Sequence, residues 1–186
     1  SLMRILPLLF YLKDKEINQR FERVREISSI THAHVRSVIA CFYYIEFALK
    51  LLENQDKFEI YEKLKSEIPE FLRQISIFQD EIKIFDRLFN QNISELDESK
   101  IQSSGYVLHT LEASIWCLLN SNSFEETVLK AVNLGEDTDT TGAVVGGLAG
   151  LLYGWERIPS IWIHSLANYK EIENLAEQLA DATDLN

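Results

Sequence analysis

Three observations in this 186-residue sequence predict an all-α fold. Apolar residues recur at spacings of three and four along most of the chain, and no segment alternates as a half-buried strand would. Residues that start and stop helices punctuate those stretches. The third observation is Ala143 to Gly154, a segment apolar on every side; counting from Gly142 just before it, Gly146, Gly150 and Gly154 recur every four residues. Such a helix is expected at the centre of a compact multi-helix bundle, buried on all faces, with its glycine edge closely approached by another helix.

Taken in order, Ser1 to Leu12 is an apolar opening with no cap of its own. Asp14 to Ile27 places Ile17, Phe21, Val24 and Ile27 on one helical face. A polar cluster of Ser28, Ser29 and Thr31 then predicts the start of a long scaffold helix from about His32 to Glu53, with His32 in its first turn and His34 simply exposed. Phe58 to Asn92 reads as two or three helices broken near Pro69. It is more apolar than one amphipathic face requires, so part of it should cover other helices or a partner. Asn90 to Gln102 is a polar connection, expected to be the least ordered internal stretch. Helices follow at Val107 to Leu119 and, opened by the capping pattern Ser123-Phe124-Glu125-Glu126, up to Asn133 with a stop at Gly135. Pro159 to Leu166 and Tyr169 to Ala180 complete the chain.

The charge balance, 18 Lys and Arg against 29 Asp and Glu for a net −11, argues against binding a nucleic-acid backbone, which requires a basic excess. Cys41 and Cys117 both fall in apolar helical patterns and are expected to be buried thiols of a reducing, cytoplasmic compartment. The longest uncharged apolar run, Gly142 to Trp155, is too short to span a bilayer.

Chemistry concentrates at Leu134-Gly135-Glu136-Asp137-Thr138-Asp139-Thr140-Thr141-Gly142, just before the apolar helix. Two residues inside a helix differ by about 200° around its axis, so Asp137 and Asp139 are expected in a turn, with Thr140 or Thr141 opening the helix. There the free N–H groups and the helix dipole favour clustered negative charge. Hard oxygen donors packed this closely suit Mg²⁺ or Mn²⁺. A plain N-cap is the competing explanation and remains open on sequence, although a cap needs only one carboxylate. A calcium loop is excluded, because the position that requires a bidentate Glu is Leu148. Elsewhere, Gly105 permits close backbone approach and Tyr106 offers an aromatic face, as a nucleotide pocket requires; a plain helix start with a core Tyr is the alternative.

Ala131 to Gly142, with the Gly-rich helix and Tyr153-Gly154, resembles the C-terminal metal motif of the ADP-ribosylglycohydrolase family. Three further stretches agree in order: Ser1-Leu2-Met3-Arg4 with Pro7-Leu8, Ser29-Ile30-Thr31-His32, and Ser104-Gly105-Tyr106-Val107 with Thr110-Leu111-Glu112-Ala113. The resemblance implies an all-α single domain over residues 1–186, similar to the C-terminal part of the family domain. It implies two Mg²⁺ ions shared between an N-terminal Thr-Asp-Asp motif and this Asp-x-Asp-Thr motif. Asp137, Asp139 and Thr140 become the metal ligands, and His32, Gly105 and Tyr106 the substrate contacts. Glu136 departs from the Gly common at its position in the family and adds a charge beside the site.

The function so implied is Mg²⁺-dependent removal of ADP-ribose from modified protein side chains or related acceptors. Because the Thr-Asp-Asp motif is not in this sequence, the chain alone is expected to be impaired or inactive. A non-catalytic ADP-ribose-binding or interaction module is the alternative. A chain beginning inside a core is also expected to expose apolar surface around Leu2, Ile5, Leu6 and Leu9. That surface would be covered by a second copy or by a missing N-terminal segment.

Overall fold

The computed structural model describes residues 1–183, and among them there are eleven α-helices, four short 3-10 turns and no strand. A 3-10 turn at Leu2–Arg4 leads into α1 (Leu8–Leu12), α2 (Ile17–Ser29), α3 (Val35–Leu52), α4 (Lys57–Gln74), α5 (Gln79–Lys83) and α6 (Asp86–Phe89). Then come α7 (Val107–Leu119), α8 (Phe124–Asn133), α9 (Thr138–Tyr153), α10 (Ser160–Ser165) and α11 (Tyr169–Ala182). None of the described helices is long and apolar enough to cross a membrane.

The core is built on α3, which is buried from Ser37 to Leu49 and again at Leu51. It packs against α2, α4, α7 and α9. Phe21 of α2, Phe42 of α3 and Phe71 of α4 meet at one junction, with ring centroids 5.2 to 5.6 Å apart. Its start differs from the sequence expectation. Ser28 and Ser29 end α2, and His34 caps α3 by accepting the Arg36 amide at 3.2 Å, so His32 lies outside the helix. Histidine is not among the usual capping residues, yet its Nδ1 can accept the same orphan amide.

Pro69 does not break its segment either. Residues on both sides of it face the core, with Leu64, Ile68, Phe71 and Leu72 buried, and this packing carries α4 through the missing amide. The excess apolar content of this region ends partly in solvent, at Phe78 (83% exposed) and Ile84. The polar connection after it is pinned. Tyr61 Oη donates to Gln91 O (2.9 Å) and accepts from Ile93 N (3.0 Å), and the Trp116 indole donates to Leu96 O (3.0 Å).

The opening segment is covered within the chain, contrary to expectation. Leu2, Ile5, Leu9 and Leu12 are buried and Leu6 is half-buried, because the first turn packs on α3 and α9 and α1 packs on α3. Association through that patch has no footing.

Helix α9 does touch α7, α8, α3 and the first turn, yet it is not buried on every face. Thr141, Val144, Val145, Leu148 and Ala149 are buried, whereas Ala143 is exposed and Leu151 and Leu152 are half-buried. Glycine and alanine read as apolar but carry little area, so leaving part of such a helix open costs little. The glycine edge is filled only at its start. A methyl group on Gly142 would lie 3.2 Å from Val132 and one on Gly146 3.8 Å from Val128, both on α8, whereas Gly150 and Gly154 face open space. The closest approach is at Gly147, off that edge, where a methyl would fall 2.5 Å from Leu6 Cδ2 and 2.7 Å from Tyr44 Oη.

Candidate functional site

Two turns are tied together at the start of α9. Gly135, at φ +83°, ends α8 in the left-handed region, and Glu136 follows at φ +54°. The Asp137 amide then donates to Ser103 O (3.1 Å), while Ser103 Oγ donates to Gly135 O (3.0 Å). Two hydrogen bonds therefore lock the 135–137 turn to the turn before α7. Their contact is so close that a Cβ on Gly105 would sit 2.8 Å from Asp137 Oδ2.

The helix opens earlier than the sequence suggests, at Thr138, with Asp137 as its N-cap residue. Asp137 has non-helical angles (φ −94°, ψ 68°), so the 200° separation of an ideal helix does not apply to this pair. A proton shared from the Asp137 carboxyl, together with the Thr140 amide, holds the Asp139 pKa below the usual carboxylate range. The Asp137 side chain makes no capping hydrogen bond. The Asp137 carbonyl begins the helical bonding, accepting from both Thr141 N and Thr141 Oγ1, at 3.1 and 3.0 Å.

A cleft of about 450 Å³ runs beside this turn. His32, Gly105, Tyr106, Asp137 and Thr140 line it, so five of the six residues expected from sequence converge from three distant segments. Asp139 does not line it and is exposed. Tyr106 is the N-cap residue of α7 and 39% exposed, which discards the core-Tyr alternative. His34 and Arg36 also line the cleft and were missed as site residues. Arg36 is held by Glu81 through Nε–Oε2 (2.6 Å) and Nη2–Oε1 (3.2 Å), a pairing across 45 residues that no local pattern announces.

The donor set fits a hard divalent cation. Asp137 has a carboxylate that capping leaves unused, Asp139 adds a second against it, and Thr140 adds a hydroxyl. Among the described residues, no group of three or more His, Cys, Asp or Glu side chains is placed to hold a metal ion.

The family model for ADP-ribosylglycohydrolase matches residues 1–186. The chain belongs to the ADP-ribosylglycohydrolase family. An ADP-ribosylarginine hydrolase of Serratia proteamaculans is 46% identical over 91 residues, which are 47% of this chain and 25% of that protein. An ADP-ribosyl-[dinitrogen reductase] glycohydrolase of Rhodospirillum rubrum is 40% identical over 67 residues, 36% of this chain and 23% of that protein. A solved structure described as an ADP-ribosylglycohydrolase-related protein complex superposes with a TM-score of 0.80 at 28% identity, covering 98% of this chain and 59% of its own. The ADP-ribosylglycohydrolase fold is therefore present across the described residues, while the chain spans less than two thirds of each of these relatives.

Proposed function

We propose that this chain supplies the ADP-ribose cleft and one side of a Mg²⁺ site for hydrolysis of an ADP-ribosyl bond. In that reaction water adds to the anomeric carbon of the ribose, and the bond to the acceptor nitrogen or oxygen breaks as the acceptor takes up a proton. The observation that carries the reading is the unused Asp137 carboxylate, locked against Gly105 at the wall of a cleft that also holds Tyr106, Thr140 and His32. A cap would spend that carboxylate on its own helix; a ligand site leaves it pointing outward.

Asp137, Asp139 and Thr140 would hold Mg²⁺, or Mn²⁺ in its place, and the family's second ion would need further ligands. Bound there, the metal supplies orientation of the ribose hydroxyls and a more acidic water. Tyr106 gives a flat face to the base, Gly105 lets the backbone approach, and His32 contacts the ADP-ribose. Mg²⁺ prefers near-octahedral oxygen coordination, and three donors leave about half of the sphere to water. Hydrolysis by this chain alone is accordingly expected to be weak, because positioning of the nucleophile is worth several kcal/mol. The cleft wall of His32, Gly105 and Tyr106 by itself also suits a second reading, an ADP-ribose-binding module without turnover.

Calorimetry with ADP-ribose at millimolar Mg²⁺, together with release of ADP-ribose from a modified peptide, separates these outcomes. Binding that Mg²⁺ strengthens, with slow release lost in Asp139→Ala, is the result expected of the hydrolase. Binding without any release supports the module. Absence of binding by the wild-type chain overturns both.

A further inference from the structure

His109 lies in the first turn of α7, and nothing in its spacing marks it as functional. Its surroundings do. The Nδ1 atom sits 2.7 Å from Ser104 Oγ, in the turn whose Gly105 touches Asp137. Its ring meets the Tyr106 ring edge to face, with centroids 5.1 Å apart and planes at 87°. The Tyr106 amide also donates to Ser104 Oγ (3.4 Å), and Thr110 Oγ1 donates to Ser104 O and Tyr106 O (3.4 Å each). One imidazole therefore touches both parts of the cleft wall, the aromatic face and the turn that abuts the metal ligand.

We propose that His109 is a positioning residue, which holds the Tyr106 ring upright as a base platform and, through Ser104, fixes the turn that sets Asp137. This deepens the ADP-ribose reading and rests on it. Edge-to-face contact is a favoured aromatic geometry, and a platform already ordered spares the ligand the cost of ordering it. Partial burial lowers the His109 pKa, with the Glu136 carboxylate opposing and Arg87 adding to the fall, so the neutral ring is favoured. In the neutral tautomer that carries its proton on Nε2, Nδ1 accepts a hydrogen bond from the Ser104 hydroxyl. A plain structural residue would support the helix start but would not treat the two halves of the ligand differently.

Two substitutions separate the two contacts. His109→Gln keeps a polar partner for Ser104 and removes the ring; His109→Phe keeps the ring and removes the partner. Binding is measured with ADP-ribose and with ribose 5-phosphate, both at millimolar Mg²⁺, and ring order of Tyr106 by carbon-13 relaxation without ligand. His109→Gln is expected to loosen the Tyr106 ring and weaken ADP-ribose binding about tenfold, within the range of losing one stacked base, while ribose 5-phosphate is unaffected. His109→Phe is expected to leave the ring ordered and to weaken both ligands. Equal losses for both ligands in both variants, or a Tyr106 ring unchanged in His109→Gln, would overturn the proposal. If the wild-type chain binds neither ligand, the ADP-ribose reading fails, and the relaxation measurement still decides whether His109 orders the ring.

Discussion

Substituting Gly105 by Ala should separate binding from stability. The added Cβ would lie 2.8 Å from Asp137 Oδ2, and ordinary contact begins near 3.4 Å, so the carboxylate must retreat by about 0.6 Å. The atom that moves is the end of a short side chain, and Gly105 is not among the glycines at positive φ, so the fold is hardly strained. Loss of backbone freedom in the unfolded chain even returns about 0.4–1 kcal/mol. Thermal unfolding should therefore change by no more than about 1 kcal/mol. Magnesium, by contrast, tolerates little displacement from its short oxygen distances, and misplaced support of a metal ligand typically costs about 10- to 100-fold in affinity. Calorimetry with ADP-ribose should then show the Mg²⁺-dependent gain largely lost. An unchanged Mg²⁺ dependence, or a stability loss above about 2 kcal/mol, would refute the reasoning.

The glycines of α9 make a contrasting pair. Gly147→Ala should cost about 1–3 kcal/mol in urea unfolding, because its methyl meets Leu6 and a Tyr44 hydroxyl already donating to Val144 O at 2.8 Å. Gly146→Ala, with its nearest neighbour at 3.8 Å, should be neutral or stabilising by up to about 1 kcal/mol. A third prediction concerns Glu112, which is buried beside Arg87 (3.3 Å) with Oε1 unpartnered, and whose pKa burial pushes up to about 7. Between the unfolded value of 4.5 and about 7 the folded chain holds the extra proton, so stability falls as pH rises through that window. The gap corresponds to at most about 3 kcal/mol, and Glu112→Gln should flatten this part of the stability-versus-pH curve.

Much of the architecture was legible because helical periodicity reports burial directly. Phe21 and Val24, the stripe of α3 and the ends of α7 all lie where the spacing puts them. What failed depended on partners far along the chain. Pro69 was misread because packing on both sides outweighs one lost hydrogen bond. The all-round burial of α9 was misread because a Gly/Ala surface looks apolar without needing cover. At the site, the clustering of Asp137, Thr140, Gly105, Tyr106 and His32 followed from the family resemblance, whereas the residues by themselves left a plain N-cap and a core Tyr open. The Arg36–Glu81 pair and the His109 contacts were not readable, because they arise only when α3 meets α5 and when a turn folds back on its own helix.

Everything proposed for the cleft depends on the Asp137–Thr140 turn holding a metal. Mn²⁺ titration followed by electron paramagnetic resonance, with and without ADP-ribose, measures this for the wild-type chain, Asp137→Asn and Asp139→Asn. The predicted result is weak binding of one ion, tightened by ADP-ribose and lost in both variants, because two ligands that favour each other must do so reciprocally. Mn²⁺ binding that survives both substitutions, or that ADP-ribose leaves unchanged, would contradict it.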